Sequence, residues 1–189
     1  MRPRVIVFDL DGTLWNPEMY ELHGGAPFKH HPTRHDALID RAGTTVALIG
    51  EARSVLQRLF NDPSRTSERE RTYVAISSTC DEPAWARECL SKLFLDDDRK
   101  VPLSTLFGDL TEIYASNKAA QMQTILGKIR RIDTTVTDFH QFVFFDNQQN
   151  NIRDVSPLGV ASVYCPGGLE VGVFERGLRQ WAEKKSSKV

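Results

Sequence analysis

VIVFDLDGTLW, Val5–Trp15, decides how the rest of the chain is read. Val5 to Phe8 form a continuous apolar run rich in β-branched residues, the pattern of a strand buried on both faces. The run stops at two acids two positions apart, Asp9 and Asp11, and Gly12 permits a tight turn directly after them. Asp and Gly are also ordinary turn residues, so the pair alone does not define a site. Adjacent carboxylates raise each other's pKa unless a cation lies between them, which gives the pair a chemical cost that the rest of the chain must explain.

Further apolar runs at Tyr73–Ser77, Gln141–Phe145 and Val160–Tyr164 read as strands, and Thr111–Tyr114 reads as a short additional one. Amphipathic stretches at Glu51–Phe60, Pro83–Phe94, Lys118–Arg130 and Gly172–Lys185 read as helices between and after them. The alternation predicts an α/β fold: a doubly wound parallel sheet with right-handed crossovers and helices on both faces. A length of 189 residues suits a single domain over 1–189. Residues 16–50 break the rhythm with a Gly-Pro-His-rich loop and ALIDRAGTTVALI, which predicts a β-hairpin flap turning near Ala42–Gly43. Residues 61–72 are highly charged and predict a mobile solvated loop, and the tail KKSSKV is expected to fray.

Twenty-four basic residues stand against 25 acidic ones, a net charge of −1 that supplies no basic surface for nucleic acid. No apolar run approaches the length of a membrane span or a signal peptide. Cys80, Cys89 and Cys165 show no C-x-x-C spacing and read as buried free thiols, so a reducing, cytoplasmic location is expected. KHHPTRH, 29–35, is interrupted by Pro32 and lacks the further acid or cysteine that a zinc site needs, so it reads as a solvated loop. No oligomer seam is legible, and a monomer is expected.

In an open parallel sheet, functional groups collect beyond the carboxyl ends of the strands. Asp9 stands there on the first strand, Asp146 on the FVFFD strand, and Ser78 after VAIS, while Lys118 opens a helix after a loop. Ser77 and Thr79 compete with Ser78, and Lys128 competes with Lys118. Such a cluster suits a hard divalent cation with oxygen ligands, Mg²⁺ above all. Its expected ligands are the side chains of Asp9 and Asp146 and the backbone carbonyl of Asp11. Asp9, shielded by the metal and Lys118, would attack phosphorus, and Asp11 would protonate the leaving alcohol and later activate water. Ser78, with Thr79 beside it, and Lys118 would bind the phosphate, supported by Asn147 and Asn151.

DLDGTL, Asp9–Leu14, resembles the first motif of the haloacid dehalogenase superfamily, and Ser78, Lys118 and Asp146 match its other three motifs in order. FDLDGTLW, APFKHH, VAISST, EIYASNK and VFFDNQQNNIRDVSPLGV are similar to the eukaryotic magnesium-dependent phosphatase-one family. That resemblance implies a capless Mg²⁺-dependent phosphatase acting on phosphotyrosine protein or sugar phosphates. The intervals Leu14–Ser78 and Ser78–Lys118 leave no room for a large cap domain, so the site is expected to be open. Trp15, Phe28, His30, His31 and His35 are expected to meet the leaving group from the flap. The rival readings are a phosphoacceptor signalling module, which Asp11 argues against, and a weakened phosphoprotein-binding relative.

Two departures carry consequences. Asn147 stands where the family has a second acid, and Thr79 stands where it has arginine. One carboxylate fewer means weaker attraction for a divalent cation. Asn147→Asp is expected to lower the Mg²⁺ concentration for half-maximal turnover, and an unchanged Mg²⁺ titration would refute this.

Overall fold

The residues of Val5–Phe8 (β1) serve two cores by turns. Val5 and Val7 pack into one buried cluster and Ile6 and Phe8 into the other, as a strand's period of two requires. The computed structural model describes residues 2–67 and 70–186. The chain continues through β2 (Trp15–Asn16), β3 (Lys29–His30), β4 (Ala37–Ile39), β5 (Thr45–Leu48), α1 (Ala52–Phe60), β6 (Tyr73–Ser78), α2 (Pro83–Lys92) and α3 (Ser104–Phe107). It ends with β7 (Thr111–Ile113), α4 (Lys118–Arg130), β8 (Phe142–Asp146), α5 (Gln149–Val155), β9 (Ala161–Tyr164) and α6 (Val171–Ser186).

The main sheet has five strands in the order β7-β6-β1-β8-β9, and every pairing is parallel. Met122, Ile125, Leu126 and Ile129 of α4 and Val155 of α5 cover one face. Residues of α1, α2, α3 and α6 cover the other, where the rings of Phe8, Phe145 and Phe174 stack with centroids 5.3–6.5 Å apart. This is the doubly wound α/β architecture expected, with a helix, α5, that the polar run QNNIRDV does not advertise.

The hairpin at 37–48 joins β2 and β3 in a separate antiparallel sheet, β2-β5-β4-β3. Asp40, in its turn, accepts hydrogen bonds from the amides of Gly24, Gly25, Ala42 and Thr44 at 2.7–3.1 Å, tying the preceding loop to the hairpin. The sheet is also clamped to α2: the Phe28 amide donates to Glu88 at 2.9 Å and the Lys92 ammonium to the Phe28 carbonyl at 2.7 Å. One expectation is corrected here. Trp15 and Phe28 lie in the core at 0% and 2% exposure rather than on a surface facing a leaving group, because burial of large apolar rings outweighs their display. His30 packs against Phe94 at 5.6 Å, and His31 Nδ1 accepts the Thr33 and Arg34 amides of its own turn.

Within the charged stretch after α1, Pro63–Thr66 forms a short 3₁₀ turn, and the Asp62 side chain accepts the Ser64 amide at 2.9 Å and pairs with Arg2. Glu68 and Arg69 of that stretch lie outside the described residues, as do residues 187–189 of the tail; Lys184, Lys185 and Ser186 belong to α6.

Gly177 of α6 is demanded by packing. A Cβ there would sit 2.6 Å from the Phe145 ring and 2.9 Å from Val163. Gly177→Ala is expected to destabilise the protein by about 1–3 kcal/mol, despite the general preference for Ala over Gly inside helices of about 1 kcal/mol. Urea unfolding of the variant measures the balance, and a gain in stability would contradict the packing argument.

Candidate active site

β1 and β8 run side by side with Phe8 opposite Phe145, and the Asp9 amide donates to the Phe145 carbonyl at 3.0 Å. Asp9 and Asp146, one step beyond that pair, therefore emerge together at the carboxyl edge of the sheet. The first residue of α4 completes the cluster. Lys118 Nζ lies 2.5 Å from Asp9 Oδ1 and 3.3 Å from Asp146 Oδ2, and it donates to the Ser77 carbonyl. Its side chain is wholly buried, with the ammonium 5.7 Å from the centre of the Phe144 ring. Asn117 fixes the helix start that aims it, its side-chain oxygen accepting the Ala120 amide at 2.8 Å.

Both carboxylates are held from behind. Thr13 Oγ1 lies 3.1 Å from Asp9 Oδ2 and accepts the Asn147 amide at 3.0 Å, linking the loops that follow β1 and β8. Asp146 accepts the Gln148 amide at 2.7 Å and the Asn151 side-chain amide at 2.9 and 3.1 Å. Gly12 at φ +72° makes this closeness possible, since a Cβ there would come within 2.2 Å of the Asn147 side chain.

One ammonium shared by two buried carboxylates leaves an excess negative charge. Burial, then the neighbouring Asp9 charge, push Asp146 up to about 6, while Lys118 pulls against them. The Asp11 carboxyl lies one step outside the cluster. The Trp15 indole N–H donates to its Oδ1 at 2.6 Å and the Met19 amide to its Oδ2 at 3.1 Å. Burial pushes Asp11 up to about 6 in spite of these two donors, which favour the anion. A carboxyl tuned this way exchanges protons near neutral pH, as a general acid and base must.

Ser78 ends β6 at 1% exposure, and its carbonyl accepts the Gln121 side-chain amide at 2.9 Å and the Tyr114 amide at 3.2 Å. The competing Ser77 has its hydroxyl engaged with Gln121 Oε1 at 2.7 Å. Thr79 follows, exposed. Among the described residues, no hydrogen bond joins the side chains of Ser78 or Thr79 to the aspartate cluster. Lys128, the alternative lysine, pairs with Glu112 at 2.6 Å on the edge strand. Thr13 and Gln121 are supporting groups that the sequence reading missed, and Trp15, expected to meet the leaving group, instead donates to Asp11. Thr13 directly follows Gly12 in the decisive motif and was the most accessible of them.

The oxygens gathered at this edge are the two carboxylates, and the nearby Asp11 carbonyl accepts none of the turn's amides, which bond to the Leu10 carbonyl instead. Hard divalent cations take such donors, and the charge deficit around Lys118 gives one a place to act. Among the described residues, no three His, Cys, Asp or Glu side chains gather for a metal, because the Asp11 carboxylate is turned to Trp15 and Met19.

A parallel α/β sheet carrying Asp-x-Asp after its central strand, with a lysine and a further aspartate at the same edge, defines a haloacid dehalogenase-like hydrolase. The chain belongs to the acid phosphatase family, whose model matches residues 1–184. It is 29% identical over 192 residues to magnesium-dependent phosphatase 1 from Homo sapiens, covering 97% of this chain and 90% of that protein. It is 30% identical over 160 residues to an HAD-like hydrolase superfamily protein from Schizosaccharomyces pombe, covering 84% and 83% of the two chains. Among solved structures it is similar to the N-terminal part of a Bacteroides fragilis protein containing a phosphatase domain complexed with Mg, at 16% identity and a TM-score of 0.48, over 95% of this chain and 40% of that one.

Lys118 is what allows Asp9 and Asp146 to coexist. Lys118→Met is expected to lower stability at pH 8 by about 3–5 kcal/mol, the effect of breaking a buried ion pair. The loss shrinks at pH 5, because carboxylates whose pKa is raised in the folded state bind more protons there than in the unfolded chain. Urea unfolding at the two pH values tests this, and an equal loss at both would refute it.

Proposed function

We propose that this phosphatase hydrolyses phosphomonoesters with Mg²⁺ through an aspartyl phosphate on Asp9. The observation that carries the reading is the convergence of Asp9 and Asp146 on the buried Lys118 ammonium. The relatives support the activity and the metal: one is named a magnesium-dependent phosphatase. Asp9, Asp146 and the Asp11 carbonyl would hold Mg²⁺, which neutralises phosphate oxygens and lowers repulsion between two anions.

Asp9 supplies the attacking carboxylate oxygen. As its bond to phosphorus forms, the bond from phosphorus to the ester oxygen breaks, and Asp11 gives its proton to the departing alcohol. Water then attacks the phosphorus of the mixed anhydride, Asp11 takes the proton, and inorganic phosphate leaves with the Asp9 carboxylate restored. Lys118 orients Asp9 and offsets part of its charge, and Ser78 and Thr79 at the end of β6 would bind the phosphoryl oxygens. The substrates we infer are phosphotyrosine protein or sugar phosphates, reached through a site without a large cap. Three buried free cysteines fit a reducing, cytoplasmic setting.

Asp9→Asn is expected to reduce turnover of p-nitrophenyl phosphate by on the order of 10³-fold or more, and EDTA should abolish it. Asp11→Asn should reduce turnover of an alkyl phosphate by about 10²–10⁴-fold. Because Asp11 donates as an acid, kcat/KM for the alkyl ester should fall as pH rises through about 6. The fall should be shallower for p-nitrophenyl phosphate, whose phenolate leaves without a proton. Turnover surviving in Asp9→Asn would overturn the mechanism.

A further inference from the structure

At the opposite end of the sheet from Asp9 lies a recess of about 460 Å³, lined by Arg65, Arg71, Tyr73, Phe107, Lys128 and Arg131 among others. Tyr73 pairs with Val5 at the start of β1, so the recess opens at the amino edge of the strands, between α3 and the last turn of α4. A volume of this size accommodates a small organic molecule.

Among the described residues its lining is unbalanced in charge, in a chain whose net charge is −1. Lys128 is answered by Glu112 at 2.6 Å. Among the described residues, Arg65, Arg71 and Arg131 form no ion pair with a carboxylate. Burial, and then the charge of Arg71, press Arg65 below the usual arginine range. Asp109 is the acidic side chain on the lining.

Both of the nearer guanidiniums are also pre-oriented. Arg65 stacks on the Phe60 ring at 4.4 Å, with two of its nitrogens reaching the carbonyls of Phe60 and Thr105 at 3.4 and 3.3 Å. Arg71 stands over the Tyr73 ring at 5.2 Å. A stacked guanidinium keeps in-plane N–H donors for an anion and loses little freedom on binding one. Tyr73, Leu106 and Phe107 stand nearly buried behind the recess, and Ile132 on its lining, 69% exposed, supplies apolar surface.

We propose that this recess binds a small organic anion, its carboxylate, sulfonate or phosphate group held by Arg65 and Arg71 and its apolar body lying against Ile132. The probe is 8-anilinonaphthalene-1-sulfonate, an aryl sulfonate that a phosphatase does not hydrolyse, titrated by fluorescence into the intact folded chain. Saturable binding is expected, weakened at least about tenfold in Arg65→Gln/Arg71→Gln, with thermal unfolding and p-nitrophenyl phosphate turnover unchanged. Arg131→Gln alone should weaken binding about threefold, which keeps the test intact should the double variant fold poorly. Orthovanadate with Mg²⁺, directed at the catalytic edge, should leave the titration unaltered. Absence of saturable binding, unchanged affinity in both variants, or displacement of the probe by vanadate would overturn the proposal.

Discussion

The buried ammonium of Lys118 governs this structure's functional edge. It touches Asp9, Asp146 and the Ser77 carbonyl at once, drawing together β1, β6, β8 and the start of α4. Removing an ammonium and two carboxylates from water is expensive, and their attraction offsets that cost only when geometry is good and the remaining lone pairs are satisfied. Thr13, Gln148 and Asn151 supply that satisfaction. The arrangement still falls one positive charge short, and the Mg²⁺ we propose would supply it.

Position in the sheet makes the cluster possible. β1 is central, flanked by β6 and β8, so the loops that follow these three strands share one edge without any long excursion of the chain. Stacking of Phe8, Phe145 and Phe174 fixes the relative height of β1 and β8, and so of the two aspartates that follow. The small antiparallel sheet reaches the chemistry through Trp15, which is both a β2 residue and a donor to Asp11.

Much of this was legible in the sequence for a physical reason. Strands buried on both faces are written as short apolar runs, so Val5–Phe8, Tyr73–Ser77 and the FVFF run stood out, and the parallel arrangement then dictates where their carboxyl ends meet. What was hidden rests on other causes. α5 is seven residues of mostly polar sequence held by packing of Ile152 and Val155 rather than by amphipathic pattern. β2 and β3 are two residues each and exist only because β4 and β5 template them. The grip of Met19 on Asp11 comes from a backbone amide, which no side-chain spacing reveals. Phe28 was misjudged because the segment read as a flap is clamped to α2 by Glu88 and Lys92.

The outer margin of the small sheet is β3, two exposed residues, Lys29 and His30, with Pro32 shortly after. Open strand margins invite a foreign chain to add itself by backbone pairing, and brevity, cationic side chains and proline all discourage such addition. The accessory sheet therefore terminates in itself. The ribbon beside the active-site edge thus ends, at β3, in a poor template for aggregation.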